Sequence, residues 1–265
     1  MKPALIFVLI LTLSLPKMCA QDDHAVTFRW PEGAGSAVCL TYDDGLDCHL
    51  DVAMPALEKY GLKGTFYATG SSSSLFARME EWRSWAAKGY EIGNHTLFHP
   101  CQGDRFDWVR PEYDLNKYTM NQIRNELRTA NTLLTAIDGE KERSFAYTCG
   151  NYTIDGLSFI DSIRFMFPSA RGAGKQLKPI DQVDPYYVPS WGVSDPTGEE
   201  LIAYVKEANE MGTIAVFMFH SVGGGYLNVS AEAHEQLLEY LQQNREKVWT
   251  DTFLNVMEYV KSQSY

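Results

Sequence analysis

The 265-residue chain is 45% hydrophobic and 22% charged, an ordinary globular composition that suits one α/β domain. Its formal net charge of −11 makes nucleic acid and anionic membrane poor partners, whereas a neutral polymer such as a sugar chain fits better. Beyond the first twenty residues no apolar run approaches the length needed to span a bilayer, which argues against a transmembrane segment.

Residues 1–20 read as a secretory signal peptide. Lys2 precedes an apolar run over residues 4–15, and Met18-Cys19-Ala20 ends in a small residue. Cleavage near Ala20 would place the mature chain outside the cell or in the periplasm, and loss of Lys2 and Lys17 would move its charge to about −13. No repeat, low-complexity tract or long Pro/Ser linker interrupts residues 24–265, so one domain over 21–265 is expected.

The first strand is expected over 37–42 and delivers Asp43-Asp44-Gly45. Alone, that triplet reads as a turn, Gly taking a positive φ and Asp capping the next helix, 50–60, which Gly61 closes. A strand over 64–68, a helix over 80–88 closed by Gly89, and a strand over 90–94 come next. That third strand runs into Asn94-His95-Thr96-Leu97-Phe98-His99-Pro100. Histidines four apart can share a face of one helical turn, which lets both imidazoles reach one ion. Residues 101–118 form a long segment carrying Phe106, Trp108, Tyr113 and Tyr118, expected as a substrate wall.

A helix is expected over 119–137, a strand over 144–149, a helix over 154–162, and strands over 163–168 and 186–193. A helix over 199–211 closed by Gly212 leads to the seventh strand, 213–219, which ends at His220-Ser221-Val222-Gly223-Gly224-Gly225. Glycines there would let backbone and substrate approach closely. Helices over 231–243 and 251–262 finish the chain. Apolar strands alternating with helices indicate a parallel sheet covered on its outer face, and seven such units approach the count needed to curl into a barrel. The polar residues cluster at the carboxyl ends of the strands, where such folds place their sites.

Cys39, Cys48, Cys101 and Cys149 match no zinc-finger spacing. A Cys48–Cys101 disulfide and four free thiols both stay open. The Asn-x-Ser/Thr triplets at Asn94, Asn151 and Asn228 read as incidental, because a glycan at Asn94 would sit beside His95.

In order and spacing, Thr41-Tyr42-Asp43-Asp44-Gly45, His95-Thr96-Leu97-Phe98-His99 and the late Phe219-His220-Ser221 strand end resemble the motifs of the polysaccharide deacetylase family, carbohydrate esterase family 4 with its NodB-like domain. The resemblance implies a distorted, incomplete (β/α) barrel of about seven parallel strands. It further implies a hydrolase removing N- or O-acetyl groups from a poly- or oligosaccharide with a divalent metal, zinc first. Residue by residue, it gives Asp44, His95 and His99 as metal ligands, Asp43 as base and His220 as general acid. One carboxylate and two imidazoles would leave a coordination position open, as catalytic zinc sites do. Asp195 is the expected carboxylate partner of His220, a backbone N–H near Cys149 an oxyanion donor, and Trp191, Trp108 and Tyr147 further substrate contacts.

The family usually carries an arginine at the fourth strand that steers the base. Here that strand reads Phe145-Ala146-Tyr147-Thr148-Cys149-Gly150. Arg171 could supply a guanidinium from elsewhere, although its expected place is in solvent. A carbohydrate-binding protein that has lost turnover, and a hydrolase of non-acetyl C–N or ester bonds, remain as alternative readings.

Overall fold

Residues 28–263 are described by the computed structural model, so the signal peptide expected at 1–20 lies outside the described residues. The strands are β1 (Ser36–Asp43), β2 (Thr65–Ala68), β3 (Glu91–Asn94), β4 (Phe145–Ala146), β5 (Thr153–Ile154), β6 (Leu157–Ser158), β7 (Ala170–Arg171), β8 (Trp191–Gly192), β9 (Ile214–Phe219) and β10 (Val248–Thr250). Between them run helices α1 (Met54–Lys59), α2 (Ser73–Ala77), α3 (Met79–Ala86), α4 (Met120–Asp138), α5 (Ile160–Ile163), α6 (Gly198–Met211), α7 (Ala231–Gln243) and α8 (Phe253–Gln263). Seven strands form a curled parallel sheet in the order β7-β4-β3-β2-β1-β9-β8, with β10 beside the start of β1. The expected incomplete (β/α) barrel is the observed architecture.

Side-chain alternation on β1 sorts the two layers. Val38, Leu40 and Tyr42 join the large apolar cluster under the covering helices, together with Leu201, Tyr204 and Val205 of α6. Ala37 and Cys39 face the narrow interior, which α8 fills with Phe253, Val256, Met257 and Val260. Full burial of a side chain such as Phe253 contributes about 1.5–3 kcal/mol. Continuing the same alternation, Asp43 emerges on the inner face at the carboxyl end.

The two ends of the sheet are linked by one extended segment. Pro185 and Val188 exchange backbone hydrogen bonds with Ala170 and Gly172, and three residues later Trp191 and Gly192 pair with Phe217 and Met218 of β9. The strand expected over 186–193 therefore serves two partners in turn. At the opposite end of the barrel, Glu91 accepts from Ser144 and Thr65 and from the backbone of Leu254, tying three strands to the start of α8.

Two expectations need correction. The helix expected over 154–162 is mostly the hairpin β5–β6, because Asp155 (φ 50) and Gly156 (φ 72) supply the two positive φ values of a two-residue hairpin turn. The strand expected over 163–168 is the end of α5 and a turn, and pairing resumes only at Ala170, past Pro168. β10 was not anticipated. The helix expected over 50–60 opens as a π-helical turn, His49–Ala53, and continues as α1 beside Pro55, which has no N–H to give a regular ladder.

Candidate active site

The Asp-Asp-Gly turn at the end of β1 splits its two carboxylates between two tasks. Asp44 takes a left-handed φ of 78 and Gly45 one of 65, so the chain reverses and Asp44 swings toward the histidines rather than to the outer face. Its Oδ1 lies 3.5 Å from His95 Nε2 and 3.3 Å from His99 Nε2.

The two histidines do not share a helical turn, as their spacing had suggested. Thr96 (φ 65) and His99 (φ 56) are both left-handed, and the loop between them is tied down from every side. Asn94 Oδ1 accepts from Thr96 N–H, Thr96 Oγ1 from His99 N–H, and buried Glu126 of α4 from the N–H groups of Leu97 and Phe98. His95 Nδ1–H donates to the Ala146 carbonyl at 2.9 Å, which leaves the Nε2 lone pair facing Asp44.

Burial opposes ionisation of Asp44. The neighbouring His95, His99 and His220 and a hydrogen bond from Tyr226 outweigh it and hold the carboxyl below its usual pKa. Burial, then His95, push the His99 imidazole below its ordinary value against the pull of Asp44, which favours the neutral, ligating form. One donor atom from each of Asp44, His95 and His99 lies within 4.8 Å of the others. Ligands held at about 2.0–2.1 Å by one tetrahedral ion sit about 3.4 Å apart, so the spacing and the O/N donor set fit a zinc-type cation.

Asp43 is 2% exposed, with Oδ2 3.8 Å from His95 Nε2. Arg171, expected in solvent, is 0% exposed. Its Nη2 donates to both Asp43 oxygens at 2.6 and 2.5 Å, its Nη1 donates to Ser190 Oγ at 2.9 Å, and its guanidinium stands 5.0 Å from the Tyr67 ring centre. Tyr67 fits only because Gly93 faces it, where a Cβ would come within 2.4 Å of the ring. The sequence signal for Arg171 was its setting among small residues, Ser169-Ala170-Arg171-Gly172-Ala173, which allows close packing on all sides.

His220 directly follows β9 beside the same carboxylates. Its backbone carbonyl accepts from His49 Nε2–H at 2.9 Å while His49 Nδ1 accepts from Leu46 N–H, and burial depresses the His49 pKa to about 4, so that ring is neutral. His220 Nδ1 is buried with no hydrogen-bond partner. Asp195 is not that partner. It is exposed, sits in a left-handed turn (φ 49) and bonds Asn228 through its own N–H.

Three other expectations change. Tyr147 is buried in a separate aromatic cluster, its hydroxyl donating to the Tyr186 carbonyl, so it is core rather than substrate contact. Trp191 faces the helices, with its ring 5.2 Å from that of Tyr204, because alternation along the segment turns Ser190 inward instead. Cys101 pairs with Cys149, not with Cys48, leaving Cys39 and Cys48 free. That bridge joins the histidine loop to the turn after β4, with Cys101 Sγ 3.6 Å from His99 Nδ1. Trp108 stands where a wall was expected, 58% exposed with its ring 6.1 Å from that of His99. Asn94 and Asn151 are buried and hydrogen-bonded, which closes two of the three glycosylation triplets. Tyr226 was missed; its only sequence signal is an aromatic placed directly after three glycines.

A family model described as polysaccharide deacetylase matches residues 30–162, which include Asp43, Asp44, His95 and His99. Over 225 residues the chain is 22% identical to a peptidoglycan-N-acetylglucosamine deacetylase of Bacillus cereus, covering 83% of this chain and 68% of that protein. A 131-residue stretch is 28% identical to part of a gellan lyase of a Bacillus species, 49% of this chain but only 5% of that protein. Among solved structures, a Mycobacterium smegmatis chain assigned to the polysaccharide deacetylases superposes with a TM-score of 0.63 at 14% identity, covering 89% of this chain and 93% of that one. A CE4-family pseudoenzyme from Bacillus anthracis superposes at 0.54 and 18% identity, over 83% and 65% of the two chains. At these identities the structural likeness speaks for the fold.

Proposed function

This chain belongs to the polysaccharide deacetylase family, and from that premise we propose that it is a secreted, metal-dependent hydrolase that removes N- or O-acetyl groups from a poly- or oligosaccharide. The observation that carries the reading is the convergence of Asp44, His95 and His99 beside the Asp43–Arg171 pair. Asp44, His95 and His99 would hold the ion. A divalent cation there, zinc first, supplies Lewis acidity toward water and the acetyl carbonyl.

The remaining steps belong to groups of this chain. Arg171 fixes the Asp43 carboxylate against rotation, and Asp43 takes the proton of the attacking water. The peptide at Cys149, held beside His99 by the disulfide, is the candidate donor to the tetrahedral oxyanion. His220 passes a proton to the departing amine or alkoxide, its position set by the His49 hydrogen bond to its carbonyl. Trp108 offers an exposed aromatic face next to the ion site on which a sugar ring can stack.

The reading as a binder without turnover drew on the arginine absent from the fourth strand. Arg171, arriving from β7 and bonded to both Asp43 oxygens, supplies a guanidinium to that carboxylate and so supports the hydrolase reading. Metal analysis combined with acetate release from acetylated xylan, chitooligosaccharide and peptidoglycan fragments tests the proposal. One or more of them should yield acetate in proportion to bound metal. Bound metal with no acetate from any of the three would overturn it in favour of a binder, and a product other than acetate would favour the non-acetyl hydrolase.

A further inference from the structure

The segment after His220 is built to aim one side chain. Gly223, Gly224 and Gly225 take φ values of 82, 137 and 122, and Leu227 one of 44, a run of positive values that L residues rarely adopt. The base of the loop is pinned by Gly223 N–H to Val229 O, Val229 N–H to Ser221 O, and Gly224 N–H to Asn228 Oδ1. At Gly225 a Cβ would stand 2.4 Å from Ser221 Oγ, so the loop closes tightly on itself. At its tip, Tyr226 is 51% exposed and belongs to no apolar cluster. Its hydroxyl donates to Asp44 Oδ2, and its ring lies 5.6 Å from that of His220.

An exposed tyrosine with no core to pack against does little for the fold, yet its hydroxyl takes Asp44 Oδ2, while Oδ1 contacts His95 and His99. The backbone turn at Asp44 fixes where the carboxylate starts but leaves its rotation free. A hydrogen bond to Oδ2 removes that freedom and keeps Oδ1 toward the imidazoles. Outer partners of this kind orient metal ligands and tune their affinity.

We infer that Tyr226 is a positioning residue for the proposed metal-binding carboxylate: its hydroxyl holds Asp44 with Oδ1 turned to His95 and His99, and its ring walls the cleft on the His220 side, where a substrate sugar would lie. The inference rests on the metal-site reading proposed above.

Zinc titration against a competing chromophoric chelator, run on the wild-type chain, Tyr226→Phe and Tyr226→Ala, tests it, with thermal melts of the metal-free proteins alongside. Tyr226→Phe should weaken zinc binding by about 10–100-fold, with metal-free melting unchanged and KM for substrate close to wild type once zinc is saturating. Tyr226→Ala should lose the same zinc affinity and in addition raise KM. Wild-type zinc affinity in Tyr226→Phe would overturn the positioning role while leaving the metal site intact. A wild-type chain that binds no zinc would overturn the metal site itself, and this inference with it.

Discussion

Arg171 and Asp43 meet inside the barrel across 128 residues of chain, one guanidinium nitrogen serving both carboxylate oxygens at 2.6 and 2.5 Å. Both side chains are essentially sealed from solvent, so neither charge has water to fall back on. Replacing Arg171 by Met should therefore cost about 3–5 kcal/mol of stability, the penalty of stranding a buried carboxylate. Misplacing the base should lower kcat by about 10²-fold. Denaturant melts and acetate-release kinetics read the two effects separately, and a normal kcat in a destabilised variant would deny Arg171 any part in positioning the base.

Metal and rate should separate between a proposed ligand and the proposed base. His99→Ala should lose bound zinc and activity together, whereas Asp43→Asn should keep zinc and lose about 10²–10⁴ in kcat. Chelation should also lower the melting temperature, because an ion bound at 100 times its Kd contributes about 2.7 kcal/mol. Elemental analysis and calorimetry with and without added zinc check both halves.

Thiol labelling of unfolded, unreduced protein should mark Cys39 and Cys48 and spare Cys101 and Cys149. Opening the bridge with Cys101→Ser removes a cross-link across 48 residues, worth up to about 4 kcal/mol by the chain-entropy estimate. Since the bridge abuts His99, zinc affinity should fall as well. Labelling of Cys101 and Cys149 as well would remove the basis of this prediction.

His234 is fully buried, its Nε2 2.7 Å from the Tyr42 hydroxyl, and burial depresses its pKa to about 4; His49 behaves alike. In the unfolded chain each titrates near 6.5. Below about pH 6.5 the unfolded state binds protons the folded state refuses, so stability is complete above that pH and falls toward pH 4. The slope is at most about 1.4 kcal/mol per pH unit for each histidine. Unfolding free energies measured between pH 7 and 4 should show this decline, and His234→Gln should make it shallower.

The proposed metal ligands were legible in the sequence because the family motifs that carry them are short local segments, Thr41-Tyr42-Asp43-Asp44-Gly45 and His95-Thr96-Leu97-Phe98-His99, although Asp-Asp-Gly read alone gave only a turn. The strands around them were legible for the same reason, since alternation and apolar runs are local. The Asp155-Gly156 hairpin was also written locally and was outweighed by an apparent helical period. What the sequence alone could not decide was which distant groups meet. Arg171 reaches Asp43, Tyr226 reaches Asp44 and Cys149 reaches Cys101 only after the sheet has curled. Nor could it say which face each side chain takes once the strands shorten to two residues, which is why Tyr147 and Trp191 turned away from the site and Ser190 turned in. Periodicity is a property of neighbours in the chain; a buried ion pair is a property of neighbours in space, and only the closed fold brings those together.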